Sequence, residues 1–241
     1  MIENNDLVVL SGQKTDFFVR AGGGKTGTDH GLLDLDALIG MRPGDTLTTH
    51  KGRSFIVRLP RATDFFSHAK RSGAPMLPRD IGLVIGLTGM NKSDSVLDAG
   101  TGSGIAAIFF GGIAAHVTSY EARIEFVKAA QETINDAGLS NVTVVHGDML
   151  NAGGHYDMVH LDLPVTEAHV THAYSLLVPG GYLACYSPFF EQMALVHDVA
   201  SAMFTQVTAH ETIAREMDRS ERGTRPSTRI CHSGYLTIAR K

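Results

Sequence analysis

The chain has 241 residues, of which 43% are hydrophobic and 19% charged, and a formal net charge of −4. That length can bury a full core, and the balance of residues excludes a largely disordered chain. The mild acidity supplies no overall field to draw in a polyanion, so any such partner must be met by local patches.

The opening MIENNDLVVL has acids and amides where a secretory signal would place cations before a long apolar run, and a cytoplasmic protein is expected. Short β-type runs follow at Leu7 to Leu10, Asp16 to Arg20, Thr46 to Thr49 and Ser54 to Leu59, separated by turn signals. Residues 1–62 therefore read as a small N-terminal β-rich domain. Gly24-Lys25-Thr26 has the ending of a phosphate loop, but the glycine needed five positions earlier is Val19, so a hairpin loop is expected instead. From Thr63 the pattern becomes helical, with Phe65, Phe66 and Ala69 on one apolar face before Gly73 and Pro75 interrupt it. The second domain is placed at 63–241. Asp80 to Leu87 reads as a short helix that ends at Gly89.

Beyond this point strands and helices alternate. Ser95 to Asp98, Val117 to Glu121, Val142 to His146, Met158 to Asp162 and Tyr182 to Tyr186 are expected strands. Ile105 to Phe110, Arg123 to Ala137 and Glu167 to Leu177 are expected helices, the last two stopped by Gly138 and by Pro179-Gly180-Gly181. Parallel neighbours need crossover connections, so the alternation predicts an α/β fold, a doubly wound sheet with helices on both faces. Gln206 to Arg215 and Ile230 to Ala239 read as an antiparallel pair closing one sheet edge. The longest apolar run, Gly104 to Ala115, is too short to span a bilayer, so no membrane is expected.

Cys185 and Cys231 stand alone and read as buried free thiols. His169 and His172 share a helix face, but neither an HExxH pattern nor a cysteine cluster accompanies them, and no metal is expected. Two basic clusters stand out against the acidic whole. Lys51, Arg53, Arg58, Arg61, Lys70 and Arg71 face only Asp64, and Arg215, Arg219, Arg222, Arg225 and Arg229 share one loop with three acids. Such charges usually form a solvated face; the sharper reading is a nucleic-acid track.

Val96-Leu97-Asp98-Ala99-Gly100-Thr101-Gly102-Ser103-Gly104 joins a buried strand to a helix through three alternating glycines. Glycines allow the tight turn and the close approach of a ligand to the free amides of the helix start. Dinucleotide enzymes use a similar turn, but here Asp98 precedes the glycines, where it would repel a pyrophosphate and could hold an ammonium group. Acids also end the next two strands, Glu121 and Asp148, the latter followed by Met149. In an open α/β sheet these positions converge on one crevice at the carboxyl ends of the strands. Glu121 can accept two ribose hydroxyls and Asp148 an adenine amino group. An amino acid, a ribose and an adenine in a row describe S-adenosyl-L-methionine. The expected cofactor-binding set is thus Asp98, Gly100, Thr101, Gly102, Ser103, Gly104, Glu121, Asp148, Met149 and Asp162.

The fourth strand ends in His160-Leu161-Asp162-Leu163-Pro164. A carboxylate there can accept a hydrogen bond from an exocyclic amine and take up the proton released on methylation, so Asp162 is the expected catalytic residue.

With these blocks, together with Ala69-Lys70-Arg71-Ser72, Pro78-Arg79-Asp80, Ser119-Tyr120-Glu121-Ala122-Arg123 and Cys231-His232-Ser233-Gly234-Tyr235-Leu236, the chain resembles the tRNA adenine-58 N1-methyltransferases over nearly its whole length. The resemblance implies a small N-terminal β domain, a Rossmann-like methyltransferase domain, a homotetramer, and tRNA as the partner methylated at a T-loop adenine. It also selects Asp162 as the catalytic aspartate. The chain departs from the family pattern after that aspartate, where Val165-Thr166-Glu167 replaces a common proline-tryptophan pair, and at Ser233, where threonine is common. Two rival readings share the glycine loop: a methyltransferase for isoaspartyl protein or a small molecule, opposed by the N-terminal domain and basic segment, and a non-catalytic RNA-binding subunit, opposed by the intact acidic set.

Overall fold

The computed structural model describes residues 1–69, 73–229 and 231–241. Lys70, Arg71 and Ser72 of the basic stretch, and Ile230 at the expected start of the last strand, lie outside the described residues. The chain forms two compact units, Met1–Lys70 with Asp136–Gly138, and Arg71–Asn135 with Leu139–Lys241.

In the first unit β1 (Leu7–Ser11), β2 (Asp16–Arg20), β3 (Lys25–Thr28), β4 (Gly31–Asp34), β5 (Thr46–Thr48) and β6 (Ser54–Arg58) precede helix α1 (Ala62–His68). Four of the strands form an antiparallel sheet in the order β2-β1-β6-β5. The two-residue period of β6 sends Phe55 and Val57 inward and Ser54, Ile56 and Arg58 outward, which is what a sheet with one wet face requires. Phe55 and Val57 meet Val8, Leu10, Leu33 and Leu47 in the core. The Gly24-Lys25-Thr26 segment opens the β3–β4 hairpin, and the Gly24 amide donates to Asp36, a carboxylate that leaves no phosphate cradle there. Phe65 of α1 packs edge-on against Phe18 at 5.4 Å.

The second unit contains α2 (Pro78–Thr88), β7 (Ser95–Ala99), α3 (Ile105–Gly111), β8 (His116–Glu121), α4 (Ile124–Asp136), β9 (Val142–His146), β10 (Tyr156–Leu161), α5 (Glu167–Leu176), β11 (Leu177–Ser187), α6 (Phe190–Ser201), β12 (Gln206–Glu211), β13 (Met217–Ser220), β14 (Gly223–Pro226) and β15 (Tyr235–Arg240). Its main sheet runs β12-β15-β11-β10-β7-β8-β9. The five strands from β11 to β9 are mutually parallel; β15 runs antiparallel to β11, and β12, antiparallel to β15, runs in the same direction as the five, so this is the doubly wound α/β sheet. The chain leaves β7 toward β8 on one side and reaches β10 on the other. The switch point therefore lies at the carboxyl ends of β7 and β10, where such sheets open a crevice. Leu97, Ala99, Val159, Leu161, Leu183 and Cys185 fill the core, covered by Val170 and Ala173 of α5 and Val196 of α6.

Three local features differ from expectation. Helix α6 has no counterpart among the expected elements; its inward residues Val196 and Ala200 are four apart, a spacing visible in the sequence. Strand β11 begins at Leu177, and Pro179-Gly180-Gly181 lies within a register irregularity against β10. The arginine loop folds into the β13–β14 hairpin, all eight of whose strand residues are exposed. Of the two free thiols, Cys185 is buried and Cys231 half-buried. His169 accepts the Thr166 amide at the start of α5, 3.0 Å away, a helix-capping contact.

Candidate functional site

The site is built where β7 runs out. Gly100 turns the chain at φ +91°, a conformation that favours glycine, and a Cβ there would run into the backbone carbonyl oxygen of Asp162. The Gly100 amide donates to the Tyr120 carbonyl at 3.0 Å, and the Asp162 amide donates to the Ala99 carbonyl at 2.9 Å. The ends of β7, β8 and β10 are thus pinned together by backbone hydrogen bonds. Gly104, at φ +79°, then starts α3.

These ends enclose a cleft of about 360 Å³, lined by Ala99 and Gly100, by Tyr120 to Arg123, by Gly147 to Met149, and by Asp162 to Pro164. Among the expected cofactor-binding residues, Gly100, Glu121, Asp148, Met149 and Asp162 meet on its walls. Asp98, Thr101, Gly102, Ser103 and Gly104 do not line it directly.

Glu121 is 3% exposed, and its two oxygens are divided between neighbours. One accepts the Gly102 amide at 3.0 Å; the other accepts the amide and the Nε of Arg123, each at 3.0 Å. Burial pushes the Glu121 carboxyl up, but the Arg123 side chain and the two backbone amides outweigh it and hold the group below its ordinary value. Glu121 therefore couples the glycine loop to the end of β8 as a fixed carboxylate. Asp148 accepts the Leu150 amide at 2.9 Å and caps a one-turn 3-10 helix, with Met149 buried behind it.

Asp162 has the strongest perturbation in the cleft. Burial pushes its carboxyl up to about 6; His160 opposes the rise and the charge of Asp98 adds to it. A carboxyl held near neutrality at a strand end is suited to giving and taking protons.

Asp98, expected to reach the cofactor, is sunk beneath the loop at 1% exposure. Its Oδ2 accepts the Ser119 hydroxyl, and its Oδ1 lies 2.7 Å from Nδ1 of His160. These partners share its face of the sheet and engage both of its oxygens, and Asp98 does not line the cleft. Tyr120, Arg123, Leu163 and Pro164 line the cleft although the sequence reading assigns them no role; their positions just beyond the strand ends are the available signal.

Outside the cleft, Arg79 donates to the backbone carbonyls of Cys231 and Ala214, and the Tyr186 hydroxyl donates to the Ser233 carbonyl at 2.8 Å. The Arg79–Cys231 contact joins the Pro78-Arg79-Asp80 and Cys231-to-Leu236 blocks. The described cations of the first basic segment, Lys51, Arg53, Arg58 and Arg61, are exposed, with Arg58 paired to Asp16.

The family described as tRNA methyltransferase complex GCD14 subunit matches residues 74–227, more than half of the chain. The tRNA (adenine(57)-N(1)/adenine(58)-N(1))-methyltransferase TrmI of Methanocaldococcus jannaschii is 31% identical over 250 residues, covering 90% of this chain and 88% of that protein. A SAM-dependent O-methyltransferase structure from Thermotoga maritima superposes with a TM-score of 0.90 at 24% identity, covering 100% of this chain and 94% of that one. The structure of tRNA (m1A58) methyltransferase TrmI from Aquifex aeolicus superposes with a TM-score of 0.83 at 21% identity, covering 100% and 98%. These two structures show the same fold as this chain.

Proposed function

Because the chain belongs to the tRNA methyltransferase complex GCD14 subunit family, we infer that it transfers a methyl group from S-adenosyl-L-methionine to N1 of a tRNA adenine, at the T-loop position 58. The observation that supports this reading best is the joining of Asp162 to the glycine turn at the switch point of the sheet, in one cleft with Glu121 and Asp148.

The residues present fit the cofactor. Three carboxylates line the cleft, and its one guanidinium, Arg123, is engaged by Glu121, so the wall suits a cationic ligand rich in hydrogen-bond donors and repels a pyrophosphate. Glu121 would hold the ribose hydroxyls, Asp148 the adenine amino group, and the backbone at Gly100 the amino acid end. The bound cofactor supplies an electrophilic methyl group on its sulfonium. The protein aligns donor and acceptor and removes water. The target base leaves its stack and presents its Watson–Crick edge to Asp162, which accepts a hydrogen bond from the exocyclic amine and takes up the proton released.

The exposed β13–β14 hairpin supports a contact with tRNA phosphates through Arg219, Arg222 and Arg225. The same reading includes a homotetramer, as the family resemblance implies. Incubation of purified protein with methyl-labelled S-adenosyl-L-methionine and unmodified tRNA, followed by nucleoside mapping, tests it. The expected product is 1-methyladenosine at position 58; label at 57 as well would match the activity named for the Methanocaldococcus relative. Label on protein or small molecules alone overturns the reading.

A further inference from the structure

His160, Asp98 and Ser119 stand directly opposite one another across three adjacent strands, His160 of β10 facing Asp98 of β7 and Asp98 facing Ser119 of β8. Residues in register on parallel strands project to the same face, so their side chains meet. His160 is 0% exposed, with Nδ1 2.7 Å from Asp98. The Ser119 hydroxyl is committed to Asp98, so Thr101 must donate its own hydroxyl to Ser119, 2.6 Å away. A continuous chain of hydrogen bonds thus runs from His160 through Asp98 and Ser119 to Thr101 inside the glycine loop.

We propose that His160 is a positioning residue of this site: it anchors Asp98, and through Asp98 the glycine loop, and it sets the electrostatic environment of Asp162 from beneath. This rests on the reading that the cleft takes S-adenosyl-L-methionine.

Asp98 is an acid buried away from water, and such a group needs each oxygen satisfied. Ser119 serves one oxygen and His160 the other. Without the imidazole, Oδ1 is left unpaired, and the cheapest relief is movement of Asp98 or entry of water, either of which loosens the Ser119–Thr101 link to the loop. The electrostatic role follows from the neighbours. Among the described residues, β7 presents Asp98 to the ring, β11 presents Ala184 and α3 the edge-packed Phe110, while Asp162 lies two residues on along the same strand. Asp98 and Asp162 are the titratable groups His160 faces. His160 draws the Asp162 carboxyl down from the level to which burial and Asp98 push it.

The two roles separate in two variants. His160→Asn keeps a donor near the Nδ1 position but cannot carry charge; His160→Ala keeps neither. Calorimetric titration with S-adenosyl-L-methionine and with S-adenosylhomocysteine should show affinity falling about tenfold in His160→Ala and largely restored in His160→Asn, as loss and recovery of one buried charged hydrogen bond predict. In single-turnover methylation both variants should move the acid limb of the pH–rate profile to higher pH, a change that simple loosening of the fold does not produce. If His160→Ala does not fold, the position of the limb in His160→Asn decides. Full cofactor affinity in His160→Ala, or an unmoved limb in His160→Asn, overturns the proposal. Wild-type protein that binds neither compound would instead overturn the cofactor reading on which it rests.

Discussion

Gly100 and Asp162 occupy adjoining space: the glycine at φ +91° leaves no room for a Cβ, because the carbonyl oxygen of Asp162 fills it. The glycine turn and the end of β10 are therefore one structural unit. This holds the Asp162 carboxyl at a buried strand end rather than on a mobile loop.

Gly100→Ala should disrupt both at once. Strain at positive φ and a backbone clash together cost on the order of 2–5 kcal/mol, which would lower the melting temperature by several degrees or more in a chain of this size. Thermal unfolding with and without S-adenosylhomocysteine checks this. An unaltered melting temperature with normal stabilisation by the ligand would show that the turn has slack.

Asp162→Ala should slow single-turnover methylation at saturating cofactor by a factor of about 10² or more, as for loss of a positioned acid–base group, with folding kept. Asp162→Asn should be nearly as impaired if charge or proton uptake is needed. The wild-type rate should fall as the pH drops through about 6, since that is where the carboxyl protonates.

The same group predicts a pH dependence of stability. Its folded value, about 6, lies above that of an unfolded chain, about 3.9, so in this window the folded protein binds more protons than the unfolded one. Its contribution to stability is fully present below the unfolded value and is lost as the pH rises through 6. Asp162→Asn removes this loss. The variant should melt higher than wild type at pH 8, with the gap narrowing toward pH 4; a gap independent of pH would show that Asp162 does not titrate in this way.

Glu121→Ala should weaken cofactor binding at least about tenfold, since charged hydrogen bonds are worth roughly 1.5–3 kcal/mol each. The carboxylate also holds the Gly102 amide and Arg123, so loop order is lost along with direct ligand hydrogen bonds. Calorimetry showing wild-type affinity would remove Glu121 from the binding wall.

Replacing Arg219, Arg222 and Arg225 together with glutamine should weaken tRNA binding and flatten its dependence on salt, by roughly 0.7–0.9 in the logarithmic slope for each phosphate no longer neutralised. Cofactor affinity should not change. An unaltered slope would mark the β13–β14 hairpin as a solvated surface.

The alternation of strand and helix patterns determined the doubly wound sheet, because parallel strands need crossovers and every crossover returns the chain to the same end. From that topology alone, Gly100, Glu121, Asp148 and Asp162 had to converge at the carboxyl ends of their strands, and in the structure they do. Which side chains of a strand face the cleft, and which face one another across the sheet, depends on register, and register is a long-range property. Asp98, whose place before the glycines reads as that of a ligand group, is turned by register onto His160 and Ser119 and does not line the cleft. His160 is silent in the sequence because a lone histidine in an apolar strand signals nothing until its neighbour 62 positions away is known. Strand β11 likewise runs through Pro179-Gly180-Gly181, a local stop signal, because Gly180 and Gly181 exchange backbone hydrogen bonds with Lys241, more than fifty residues away, which local propensity cannot foresee.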